Sequence, residues 1–274
     1  MTSAPATTII PARRRAHTIA ALARAEGVLL RRSRIALLTA VAAPVLLAGA
    51  VKALPGAAPP ARAGGAAPGL LIALTAFALL YPVYHNLVVT LAGRREQLVL
   101  KRLRTGEATD GEILAGTALP AIAVAWAQIA VAAVAAAAVP GLHPGAAAVL
   151  ALAGLAGGTA VFALLAIVTS AVTRSAELAQ VTTLPALAIS LAGSGLLFPL
   201  TPLPDAVRLA AQALPLTAVT SLMRLGLTAT AAGGQHPGLA ASLGGAAVPV
   251  LVLAAWIAAA GWAARRWFRW EPRR

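Results

Sequence analysis

Apolar runs of membrane-spanning length recur along this sequence and leave it few ways to fold. Six can be marked off between charged or proline-rich breaks, at residues 35–54, 69–93, 113–139, 145–173, 181–200 and 238–264. A run of about 20 apolar residues matches the hydrocarbon thickness of a bilayer when it is helical. Only a helix or a closed barrel satisfies its own backbone there, and runs this long are helical. The composition agrees: 59% of the 274 residues are hydrophobic and 11% are charged, against about a quarter charged in a soluble domain. The expected fold is an all-α polytopic membrane protein with six transmembrane helices.

The segments between the runs complete the expected organisation. Residues 1–33 hold a small-residue tail, then a stretch in which Ile19, Leu22, Ala23, Leu29 and Leu30 fall at roughly helical spacing beside Arg24, Arg31 and Arg32. That pattern predicts an N-terminal interfacial helix on the membrane surface. No compact apolar segment with a small-residue cleavage site follows Arg13, Arg14 and Arg15, so a cleaved signal peptide is not expected. Residues 55–68 and 140–144 read as external turns, and 34–264 as the transmembrane domain. Between runs five and six, residues 201–237 hold an amphipathic stretch, with Leu203, Val207, Ala210 and Leu214 on one face and Asp205, Arg208 and Gln212 on the other. The apolar piece 216–227 that follows is too short to span, so this region is expected to lie at, or dip into, the external membrane face. Residues 265–274 form a basic tail whose Trp267 and Trp270 suit the headgroup layer.

Cationic residues orient the whole. With both termini cytoplasmic, the internal segments hold seven Lys or Arg before the first run, five between runs two and three, Arg174, and five in the tail. That is 18 of the 22, leaving Lys52, Arg62, Arg208 and Arg224 outside. Positive-inside bias therefore accounts for the net charge of +14. Nucleic-acid binding would need those cations gathered on one soluble face and is not expected.

Several chemistries lack their parts. Without cysteine there is no thiolate metal site or disulfide framework. No GxxxxGK[ST] motif is present to cradle nucleotide phosphates, so this chain is not expected to hydrolyse ATP, and no HExxH motif is present to hold zinc. Gly193, Ser194 and Gly195 superficially resemble a nucleophile turn, but no histidine is placed to serve it, and a flexible helix end is expected instead. No Asp or Glu falls within the six runs, where an ion-coupled carrier would place its carboxylates. His85, with Tyr84 and Asn86, is the polar cluster near mid-membrane; it could line a pathway or form a helix-packing hydrogen bond. Gly154 and Gly158 make a GxxxG, to which so Ala- and Gly-rich a chain gives little weight.

The remaining anomaly is residues 94–120, the one long charged segment between apolar runs. It carries five of the 22 basic and four of the eight acidic residues. From Gln97 to Arg104, Leu98, Leu100 and Leu103 alternate with Lys101, Arg102 and Arg104, as in a short helix that docks into a groove. Thr109 and Glu112 form the T-x-x-E of a capping box, so the third transmembrane helix is predicted to begin at Asp110. A membrane assembly protein whose basic loop binds a cytoplasmic partner would also carry such a loop, and an ion-driven secondary transporter is a third possibility.

Two motifs resemble the membrane subunits of type-2 ABC exporters. In the first, Arg95 and Glu96 end the second run, Lys101 to Arg104 follow, and Glu112, Ile113, Leu114 and Gly116 open the third; Ala108 and Thr109 replace the family's usual proline. The second is residues 195–227, with F-P, L-P and then L-P-L-T preceding an arginine. The resemblance implies a permease that exports a small amphipathic or drug-like substrate from a bacterial cell by alternating access across the cytoplasmic membrane. It implies a separate ATP-binding cassette ATPase carrying ATP and magnesium, with no cofactor on this chain, and a second membrane subunit as further partner. Glu96, Leu98, Leu100, Lys101, Arg102, Leu103 and Arg104 would then belong to the coupling loop, 94–112, which sits in a cleft of the ATPase. Residues 201–237 would form external re-entrant helices.

Overall fold

A computed structural model describes residues 66–105, 108–137, 147–197, 200, 202–227, 239–268 and 270. The predicted N-terminal surface helix, the first run at 35–54, the turn at 140–144 and the last residues of the tail lie outside the described residues. Among the described residues every regular element is helical. Five helical segments are long and apolar enough to cross a membrane: Ala67–Glu96, Asp110–Val134, Ala148–Val172, Ala176–Gly193 and Leu243–Trp267. They coincide with runs two to six. The fold is the expected all-α polytopic one, and the spans differ from the sequence reading mainly at their ends.

The segment Ala67–Glu96 is the most buried span and the centre of the bundle. It comprises α1 (Ala66–Ala78), a π-helical turn (Leu79–His85) and α2 (Asn86–Glu96). Pro82 explains the wide turn. Proline has no N–H to donate, and its ring collides with the carbonyl four residues back in a regular helix. Bonding from i to i+5 relieves that collision without breaking the span, and the Asn86 N–H accordingly donates to the Tyr81 carbonyl. Leu79, Leu80 and Val83 of the turn are buried in the core.

Helix α3 (Val99–Arg104) follows, then α4 (Asp110–Ala137) and α5 (Ala148–Val172). The capping box forms as predicted: the Thr109 N–H donates to Glu112 Oε2 at 2.8 Å, the Glu112 N–H donates to Thr109 Oγ1 at 3.4 Å, and α4 begins at Asp110. The fifth run begins earlier than expected, as α6 (Ala176–Thr182) joined to α7 (Leu184–Gly193). Ser175 caps it by accepting from the Leu178 N–H, with Glu177 in the first turn, so polar residues read as loop are the start of a helix. α8 (Asp205–Gln212) and α9 (Pro215–Leu227) are bent by 83° at their junction, and α10 (Leu239–Trp267) closes the bundle.

Helix α9 does not lie on the surface. Pro215 to Thr220, Leu222, Met223, Gly226 and Leu227 are buried, and the helix packs against α5 and α10. Gly154 and Gly158 make this possible, contrary to the small weight given to their GxxxG spacing. A Cβ on Gly154 would lie 2.9 Å from Leu222 Cβ, and one on Gly158 would lie 2.6 Å from Val219 Cγ2 and 2.8 Å from Leu79 Cδ1. Periodicity in one helix cannot reveal a partner helix that begins some sixty residues later, so chance and function look alike in the sequence. Gly226 makes the reciprocal approach from α9: its Cβ would meet the Ala151 amide nitrogen at 2.6 Å.

Substituting Gly158 by Ala should therefore lower the unfolding temperature in detergent, at a cost of about 1–3 kcal/mol from overpacking. Gly111→Ala, in open space in the first turn of α4, should instead be neutral or raise it by up to about 1 kcal/mol. Equal effects of the two would contradict the packing described.

Candidate functional site: the basic end of the bundle

The predicted loop is shorter than 94–112. Arg94 to Glu96 finish α2 and Asp110 to Glu112 begin α4, so the chain between the two spans is residues 97–109, with α3 inside it. The reversal from α2 into α3 turns on Leu98, which has a left-handed φ of 59°. Its N–H donates to the Arg95 carbonyl at 3.1 Å and its carbonyl accepts from the Arg102 N–H at 3.1 Å, so the tight turn is closed on both sides.

The three leucines part company there. Leu100 is fully buried and anchors α3 against the bundle, where α3 meets α2 and α4. Its side chain is thus turned inward, whereas Leu98 is 42% exposed and Leu103 half-buried. Lys101, Arg102 and Arg104 are all exposed. Arg104 Nε lies 3.2 Å from Asp110 Oδ1, and its guanidinium carbon sits 5.3 Å from the ring centroid of Trp270. The surface that α3 offers outward is cationic, with Leu98 at one edge.

Arg95 and Glu96 tie this surface to two other spans. Arg95 is buried, 1% exposed. Its guanidinium donates to the Ser170 carbonyl at 2.8 Å and also to the Thr173 carbonyl. Those carbonyls terminate α5, where the helix leaves acceptors without intrahelical donors and the dipole favours a cation. Glu96 Oε2 accepts from the Ala176 N–H, 3.4 Å away, at the start of α6, where the dipole favours an anion. One dipeptide at the end of α2 thus caps the end of one helix and the beginning of the next. Neither contact was legible in the sequence, because its two halves lie 75 to 80 residues apart.

The mid-span cluster is divided between helices. Tyr84 Oη is hydrogen-bonded to Thr169 Oγ1 of α5 at 3.1 Å, and its ring meets Phe162 edge-on. His85 Nδ1 is hydrogen-bonded to Thr183 Oγ1, between α6 and α7, at 2.8 Å, and its ring stacks on Tyr81. Both side chains are buried and serve helix packing, while Asn86 is half-buried.

At the opposite end, the start of α9 finishes α7. Thr217 Oγ1 donates to the Gly193 carbonyl at 2.7 Å, Thr220 Oγ1 to the Ser194 carbonyl at 3.1 Å, and Arg224 to the Gly195 carbonyl at 3.2 Å. Residues at i, i+3 and i+7 share a helix face, so one stripe of α9 satisfies three successive carbonyls. Gly195, at φ +70°, makes the turn that presents the last of them. Trp256 of α10 donates to the Ala213 carbonyl at the α8–α9 corner, 2.8 Å away. Ser194 is 1% exposed; its hydroxyl donates to the Leu191 carbonyl at 2.7 Å and accepts from the Leu196 N–H at 3.2 Å. The Gly-Ser-Gly segment is therefore a braced corner rather than a flexible end.

Arg95→Gln should cost about 2–3 kcal/mol, since it removes charge-assisted bonds to buried carbonyls, and should lower the unfolding temperature. Leu98→Gly should do the opposite, because it relieves the left-handed strain of about 1 kcal/mol or more. Thermal unfolding of the purified chain in detergent measures both.

Residues 17–228 match the ABC-2 type transporter family, described as the ABC2_membrane family, and this match takes in both motif regions and all but the last span. No curated protein matches the sequence. The match spans most of the chain, and the structure supplies the multi-pass helical bundle that such a subunit requires. The chain belongs to the ABC-2 type transporter family, and is a membrane-spanning permease subunit of the kind that an ABC ATPase drives.

Proposed function

We propose that this permease exports a small amphipathic or drug-like substrate across the bacterial cytoplasmic membrane, with α3 and its flanks as the contact for the ATPase. Export proceeds by alternating access, in a complex with a second membrane subunit and two ATPases that carry ATP and magnesium. Both termini lie in the cytoplasm. The observation that carries this reading is the arrangement at the basic end. The exposed cations Lys101, Arg102 and Arg104 stand on a short helix held by buried Leu100, and the helix follows directly from Arg95 and Glu96. A force applied to α3 reaches α5 and α6 through those two side chains without crossing a flexible linker.

Within this reading the seven residues named from the sequence take different parts. Lys101, Arg102, Leu103, Arg104 and Leu98 meet the ATPase, Leu100 positions the helix, and Glu96 transmits its movement. Tyr84 and His85 hold the π-helical turn to α5 and to the α6–α7 junction, and shift with them as access alternates.

The doubly reversed variant Lys101→Glu with Arg102→Glu should bind a co-expressed ATPase subunit at least about tenfold more weakly than the parent, by loss of charge complementarity across the contact. It should also lose ATP-dependent transport in reconstituted vesicles. Undiminished binding would overturn the placement of the contact. Transport that collapses with an uncoupler while ATP is maintained would favour an ion-driven carrier instead.

A further inference from the structure

Phe268 and Trp270, just after α10, are both tied to the rest of the protein. The Phe268 N–H donates to the Ala264 carbonyl at 3.1 Å, and the Phe268 ring packs against the hydrophobic core. Trp270 meets that ring edge-on, with centroids 5.0 Å apart, and places its own face on the Arg104 guanidinium at 5.3 Å. Trp267 is 54% exposed and leans on Trp262, while Arg265 and Arg266 are exposed beside it. Phe268 thus pins the segment to the bundle, and Trp270 fastens it to the outward face of α3. Tryptophan and arginine are the residues most often found at the energetic centre of protein interfaces, and a guanidinium over an indole face is a favourable pair.

We propose that this C-terminal segment forms the second half of the ATPase-docking surface. In this arrangement Trp270 and Trp267, together with Lys101, Arg102, Arg104, Arg265 and Arg266, present one aromatic and cationic patch to an acidic cleft of the ATPase. The inference rests on the reading of α3 given above and extends it to a part of the chain remote in sequence.

The occupant follows from the family, whose permeases an ABC ATPase drives, and from the contact of Trp270 with α3. Lys101, Arg102 and Arg104 on α3 and Arg265 and Arg266 at the end of α10 are all exposed, and Arg104 is paired with Asp110. Span Ala67–Glu96 has 30 residues and α10 has 29. At 1.5 Å per residue each is about 40–45 Å long, beyond the hydrocarbon thickness of about 30 Å. Each therefore has about 10–15 Å of helix to spare for the headgroup layers.

The test uses the full chain in nanodiscs of zwitterionic lipid, titrated with the purified, co-expressed ATPase subunit. Trp270→Ala should weaken binding by about fivefold or more, as loss of an interfacial tryptophan and its cation–π contact requires. Trp270→Phe, which keeps an aromatic face, should restore part of it. Unfolding temperature should fall by no more than about 2–4 °C in either, because Phe268 and not Trp270 makes the core contact. Unchanged binding by Trp270→Ala, with binding lost in Lys101→Glu/Arg102→Glu, would overturn this inference and leave the α3 contact standing. Retained binding in the charge-reversed variant would overturn the α3 contact itself. A Trp270→Ala defect seen only when anionic lipid is added would also overturn the inference, since the segment would then be a headgroup anchor.

Discussion

Everything at the basic end depends on how a buried helix terminus finds partners. A helix that stops within or near a bilayer leaves backbone carbonyls that water cannot reach, and each one left alone costs several kcal/mol. Arg95 meets that demand for α5 with a guanidinium rather than a hydroxyl, and so places a permanent charge where the dipole of α5 is most negative. Glu96 adds the complementary charge at the start of α6. The contact between α2, α5 and α6 is thereby polar and directional, whereas most of the bundle is held by apolar packing that permits sliding. Relative motion of these spans has to carry the pair along or break it.

The same logic governs the far end, where hydroxyls suffice. Thr217 and Thr220 reach the carbonyls that end α7, and α9 enters deeply enough to do so because Gly154, Gly158 and Gly226 remove the side chains that would hold it off. Threonines elsewhere in the spans, such as Thr75 and Thr117, return their hydroxyls to the carbonyl four residues back. Among the described residues, these threonines either close on their own helix or complete another one.

Much of the architecture was legible in the sequence because hydrophobic length and local capping are properties of neighbouring residues. The five described spans follow from apolar runs, and the start of α4 from Thr109 and Glu112. The amphipathic stretch before Pro215 predicted a region that lies at or dips into a membrane face, and the structure adds an 83° corner between α8 and α9. What stayed hidden depends on residues far apart. The partners of Arg95, the use of Gly154 and Gly158, and the meeting of Arg104 with Trp270 need the tertiary arrangement. The inward aim of Leu100 was hidden for another reason: leucines at 98, 100 and 103 fit no single helical face, and the left-handed turn at Leu98 sets the phase. The π-helical turn left a trace in Pro82, which marks a disturbance without saying whether the helix will kink, break or widen.

That widened turn also governs how the central span can vary in length. A ring closed from i to i+5 holds one residue more than a ring closed from i to i+4. The surplus is absorbed locally, so α1 and α2 keep their faces toward the same neighbours. An extra residue anywhere else in the span would rotate everything beyond it by about 100°, carrying Arg95 away from α5 and swinging α3 around the bundle. Residues 79–85 therefore set the phase of everything beyond them: closing that turn to regular α-helical bonding would change the angle at which Arg95 and α3 meet the rest of the bundle.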